Sequence, residues 1–98
     1  MKTLNMPELS VLNAIETFKI LQVTGNAGMQ MPLHYNTSDA VVMVQKGSAL
    51  LTMDEKEHVL NEGKSFIIPA RQYQSFRLKS GFEALMIMSQ DSKIEFAD

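Results

Sequence analysis

Apolar residues in this chain come in short bursts about ten residues apart, and the alternation inside each burst has the period of a strand. Residues 17–24 alternate in part, are rich in strand formers, and stop at the turn cluster Gly25-Asn26-Ala27-Gly28. Pro32 precedes His34, Asn36-Thr37-Ser38-Asp39 reads as a bend, and the apolar run from Ala40 breaks at Lys46-Gly47. Residues 48–53 and 57–60 flank the polar tip Asp54-Glu55-Lys56, which predicts a hairpin. Gly63 then turns the chain into residues 65–68, Pro69-Ala70 ends that strand, residues 74–78 begin another, and Ser80-Gly81 leads into residues 82–89. Residues 9–15 are compatible with a single helical turn, and no longer helical period occurs. Seven or eight short strands of this kind predict an all-β sandwich or barrel.

Strand alternation also assigns faces. His34 and Asn36 fall on one face, Ala40, Val42 and Val44 on the corresponding face beyond the bend, and Gln74, Phe76 and Leu78 on a facing strand. Residues 40–44 and 84–88 are apolar on both faces, which a half-solvated sheet does not need. A second subunit in a twofold dimer is the simplest cover for the outer side. Eight methionines fit first as core packing, since a flexible thioether fills irregular space.

Length and charge narrow the possibilities. The 98 residues suffice for one domain, 1–98, which divides into an N-terminal segment 1–15 and a barrel core 16–90. Whether the N-terminal segment pairs with its own barrel or with a neighbour's in a dimer is open at this point. Nine basic residues against eleven acidic ones, without a dense basic run, give no electrostatic footprint for nucleic acid. No apolar run is long enough to span a bilayer as a helix, no signal-peptide core follows Lys2, and a cytoplasmic, non-membrane protein is expected. The absence of cysteine removes disulfides, thiolate catalysis and thiolate zinc sites.

A ladder of spacings adds a family. From Gly28, five residues lead to His34, one to Asn36, three to Ala40 and six to Gly47; after fifteen more comes Gly63, then five to Pro69, one to Arg71, two to Gln74 and three to Leu78. This resembles both halves of the cupin signature, and Phe66-Ile67-Ile68-Pro69-Ala70 and Gln74-Ser75-Phe76 are similar to the family's Ile-Pro-Ala and His-Ser-Phe segments. The resemblance implies a double-stranded β-helix, or jelly-roll, barrel, commonly dimeric. In metal-binding cupins positions 34, 36, 40 and 74 hold His, His, Glu and His. Here they hold His34, Asn36, Ala40 and Gln74, while Arg71 stands where the family has glycine.

Tight binding of zinc, iron or manganese needs about three charged or strongly basic donors. Only His34 of the four positions is one, and Asp39, at an odd position, is expected to turn away from the lumen. The expectation is therefore no metal and no cofactor, with His34 hydrogen-bonded to Asn36, Gln74 or water. His58, beside the hairpin tip, is expected to be an exposed strand residue, Arg71 a surface arginine, and Tyr35 and Tyr73 rim or interface aromatics. The favoured reading is a binding module, leaning away from catalysis, whose lumen holds an unidentified small organic molecule between His34, Asn36, Val42, Gln74 and Phe76. The alternatives are a metal-independent isomerase or epimerase with His34 as acid and base, a degraded metalloprotein using His34, Asp39 and water, and a purely structural or protein-interaction role.

Overall fold

The computed structural model describes residues 6–97, which form ten strands and no helix. In chain order these are β1 (Glu8–Ala14), β2 (Phe18–Gly25), β3 (Gln30–Asn36), β4 (Ala40–Lys46), β5 (Ala49–Met53), β6 (Lys56–Leu60), β7 (Ser65–Ile68), β8 (Gln74–Leu78), β9 (Phe82–Ser89) and β10 (Ile94–Phe96). They pair antiparallel into two five-stranded sheets, β1-β2-β9-β4-β7 and β10-β3-β8-β5-β6. Two such sheets wrapped face to face make a double-stranded β-helix barrel, of the all-β class the strand pattern predicted and the architecture the family resemblance implied.

Turn chemistry sets the corners. Asp54 and Glu55 both take positive φ (55° and 61°), the conformation of a two-residue primed hairpin turn, and join β5 to β6 at the polar tip. Gly47 has φ 77°, and a Cβ there would run into the carbonyl oxygen of Gly81, so the turn after β4 and the turn before β9 are pressed together at one end of the barrel.

The core lies between the sheets and follows the alternation. Every second residue of β9, from Phe82 to Met88, is buried, as are Ala40, Val42 and Val44 of β4. From the other sheet Leu51, Leu60, Phe76 and Leu78 meet them, and the Phe76 and Phe82 rings pack edge to face at 5.7 Å.

Two strands depart from the sequence reading. Residues 9–15 are no helical turn: β1 pairs with β2 of its own chain, with a bulge between Val11 and Asn13. A ladder to β2 satisfies the backbone where a lone helical turn could not. β10 lies beyond the range 16–90 read as barrel core and pairs with the outer edge of β3, Ile94 opposite Asn36 and Phe96 opposite His34.

The outer face of the first sheet keeps an apolar row. Ile20 of β2 pairs with Ile87 of β9, Ile87 with Val41 of β4, and Val41 with Ile67 of β7, so four strands contribute one aligned aliphatic line. Ile67 at its end is 67% exposed. At the β1–β2 end the line runs into a shallow groove of about 250 Å³ formed by Asn13, Ala14, Ile15, Phe18 and Ile20.

Candidate functional site

Pro32 decides where His34 points. Strict alternation from the buried Met31 would bury Leu33 and expose His34, yet Leu33 is exposed and His34 is buried. The β3–β8 register slips between Met31 and His34, and Pro32, which has no N–H to give a ladder, sits inside that slip. The bulge resets the phase so that Met31, His34 and Asn36 all face the interior.

Gln74 stands directly beside His34. The two are Cα partners in the β3–β8 ladder, so Gln74 is a lateral neighbour within one sheet and not the residue of a facing strand that alternation alone suggested. Phe76, two residues on, is the partner of Met31. Val42 and Ala40 come from the opposite sheet, where Val42 pairs with Met86 and Ala40 with Met88. The fold thus brings His34, Asn36, Val42, Gln74 and Phe76 into one interior, the three polar groups and Phe76 on the β3–β8 wall and Val42 on the opposite one, and all five are buried.

Their hydrogen bonds are uneven. His34 Nδ1–H donates to the Pro32 carbonyl at 2.7 Å, not to Asn36 or Gln74 as the sequence suggested, across the bulge in β3. With the proton on Nδ1, Nε2 is the ring's acceptor. Burial lowers the pKa of His34 below its ordinary 6.5, and the Pro32 hydrogen bond opposes that shift. Phe96 of β10 packs tilted against the imidazole at 5.6 Å. Asn36 Nδ2, Asn36 Oδ1 and Gln74 Nε2 are buried and have no partner among the described residues. A buried polar group left so costs about 1–3 kcal/mol, which makes these three atoms the natural place for water or a ligand to bind.

The side chains at the four cation positions do not fit a transition ion. His34 is one good donor, the two amides are neutral, and Ala40 has nothing to give. Among the described residues no three His, Cys, Asp or Glu side chains lie close enough together to hold a metal. Asp39 is exposed and turned to structural use: its Oδ1 accepts from the Ala70 N–H at 2.7 Å. One residue later, the Arg71 N–H donates to the Asn36 carbonyl at 2.8 Å, so two bonds tie the β3–β4 bend to the loop before β8.

Arg71 is exposed and has φ 64°, which explains why glycine is usual at this rung of the ladder. Tyr35 and Tyr73 meet edge to face at 5.2 Å near that loop. His58 is half-buried and not exposed: its ring lies 4.9 Å from that of Phe66, because the phase that buries Leu60 also turns His58 inward at the open side between β6 and β7.

Lys19 is a residue the sequence reading missed. It shares the inward phase of Leu21 and Val23, pairs with Met88, and is half-buried, with its Nζ donating to the Ser92 carbonyl at 2.9 Å. The signal was available in the alternation, since a lysine in phase with two core residues is unusual. Ser92 Oγ is buried without a partner among the described residues.

Comparison with known proteins agrees with this architecture. An uncharacterised conserved protein with a double-stranded β-helix domain from Klebsiella pneumoniae superposes with a TM-score of 0.84 at 14% identity, over 99% of this chain and 84% of that one. A cupin superfamily protein from Desulfitobacterium hafniense gives 0.79 at 19% identity, over 93% and 84%. The DMSP lyase DddQ from Ruegeria pomeroyi gives 0.79 at 18% identity over 88% of this chain, which spans about half (48%) of that enzyme. Likeness at such identities is one of fold. No match is found among curated proteins. The family model for the cupin domain matches residues 22–89, more than half of the sequence, and the chain belongs to the cupin family.

Proposed function

We propose that this protein is a small-molecule binding module, whose lumen takes up an organic ligand without a tightly held metal and without catalysing its conversion. The observation that carries this reading is the set of partnerless buried atoms, Asn36 Nδ2, Asn36 Oδ1 and Gln74 Nε2, on an interior otherwise walled by Val42, Phe76 and methionines. Thermal-shift screening against a metabolite library tests it. A ligand at about a hundred times its Kd adds about 2.7 kcal/mol to folding stability, enough to raise the melting temperature clearly. A library without a single stabiliser argues against the reading.

A second copy of the chain is part of the same proposal. The line Ile20, Ile87, Val41 and Ile67 is aliphatic across four strands, and a twofold pairing of this face on itself places like against like without burying a charge. A cytoplasmic setting fits a chain with no cysteine.

One observation favours an alternative. The Pro32 carbonyl fixes the tautomer of His34 and burial keeps the ring neutral, which together suit a general base in an isomerase or epimerase. Substrate turnover that His34→Gln abolishes at unchanged melting temperature would favour it over the binding module.

A further inference from the structure

We propose that the lumen selects an uncharged molecule presenting a carboxamide or lactam edge, an N–H beside a C=O, on an apolar body. The inference rests on the lumen-binding reading and adds the ligand's chemical class.

Asn36 makes the first demand. Its Nδ2 needs an acceptor and its Oδ1 a donor, both buried and both without a partner among the described residues. Exchanging the amide oxygen and nitrogen leaves that demand unchanged, so it does not depend on how the amide is turned. The group that meets a donor and an acceptor side by side in one plane is another amide edge, through two antiparallel hydrogen bonds. Gln74 Nε2 asks for one more acceptor, which the second lone pair of the same carbonyl can supply. His34 has committed Nδ1 to Pro32, so its Nε2 accepts, and a second amide hydrogen suits it.

A carboxylate meets these demands badly. It brings acceptors only, sets an anionic oxygen against Asn36 Oδ1, and loses its hydration without a paired cation. Asp39, Arg71 and Arg77 are exposed, and the half-buried Lys19 spends a hydrogen bond on the Ser92 carbonyl. An ammonium brings donors only and leaves Asn36 Nδ2 and Gln74 Nε2 unanswered. A diol carries both functions, but its freely turning hydroxyls lose more freedom when fixed, and further hydroxyls would meet Val42, Phe76, Met86 and Met88.

Matched probes separate the classes. Butyramide, butyrate and 1,2-butanediol, together with benzamide, benzoate and 1-phenyl-1,2-ethanediol, are titrated at pH 8 into the full chain and followed by NMR. The amides are expected to shift the Asn36 and Gln74 side-chain NH2 signals and to bind about tenfold or more tightly than the matching acids and diols. Asn36→Leu should abolish that preference, and Gln74→Met should weaken it if Asn36→Leu does not fold. Equal or tighter binding of the acids, lost in Lys19→Met, would overturn the inference in favour of an anion held by Lys19. Tighter binding of the diols would overturn it too. If none of the six probes binds while the metabolite screen yields a lumen ligand, the amide class is wrong and the binding module stands. Failure of both experiments removes the binding module itself.

Discussion

Pro32 holds the imidazole of the residue it reorients: its carbonyl accepts the Nδ1–H of His34 at 2.7 Å, across the bulge where it sits in β3. Placement and tautomer therefore come from the same local irregularity. The ring that results is buried and biased toward neutrality, and stability should show this as pH changes.

Because burial depresses the pKa of His34 below 6.5, the unfolded chain takes up a proton there at higher pH than the folded one. Above about pH 7.5 the ring is neutral in both states and imposes no penalty. As pH falls through 6.5 toward the folded value, wild type loses stability by at most about 1.4 kcal/mol per pH unit from this group, and the loss levels off below the folded value. His34→Gln should remove this component. Urea unfolding of both proteins at pH 8, 6.5 and 5 will show wild type losing more than the variant on acidification; the opposite trend would mean the folded state favours the imidazolium.

Gln74→Met replaces an amide whose NH2 lacks an acceptor by an apolar side chain of similar length. In ligand-free protein the exchange should be neutral or stabilising, by up to about 1 kcal/mol in chemical denaturation, because the buried orphan disappears. A loss above about 2 kcal/mol would show that ordered water already satisfies Gln74 in the empty barrel.

Arg71→Gly removes a side chain from a residue at φ 64°. Left-handed backbone costs a non-glycine residue roughly 1 kcal/mol, which the greater freedom of glycine in the unfolded chain offsets in part. Stability should stay level or rise by a few tenths of a kcal/mol. Arg71→Val should fall, since β-branched side chains tolerate this region least.

Asp39→Ala breaks the bond to the Ala70 N–H and unpins the bend between β3 and β4. About 1–2 kcal/mol should be lost, as for a hydrogen bond to a charged acceptor at a partly hydrated site. Metal content measured by elemental analysis should be the same before and after the substitution, because the carboxylate already has a structural partner.

Ile67→Glu and Ile87→Glu each set a charge into the aliphatic line on the outer face. Sedimentation velocity should show a dimer for wild type and a shift to monomer for both variants, with the Ile67 change, at the exposed end, leaving the melting temperature of the monomer unaltered. A wild-type protein that sediments as a monomer at every concentration would remove the second copy from the proposal.

Much of this architecture was readable along the chain, and the misses share a cause. Short-range signals placed the Asp54-Glu55 hairpin, the Gly47 turn and the inward phase of Ala40, Val42 and Val44, because each depends on a few neighbouring residues. β1 and β10 went unread because what makes them strands is a ladder to β2 and β3, distant in sequence for β10 and ambiguous locally for β1. For the site, alternation found Asn36 and Gln74 inside, but it could not say that Gln74 lies beside His34, since sheet order is a property of the whole fold. Nor could it choose the Pro32 carbonyl as the partner of His34, which depends on a one-residue slip.

The contact between Phe96 and His34 has a practical consequence at the bench. An oligohistidine affinity handle fused just beyond residue 98 would be separated by two residues from Phe96, whose ring lies 5.6 Å from the imidazole of His34. Nickel or zinc held by the handle's own imidazoles would travel with the strand that packs on the buried His34, and the preparation would counterfeit a metalloprotein. Ion content and ligand affinity are therefore best measured on protein whose purification sequence is attached elsewhere or has been cleaved away.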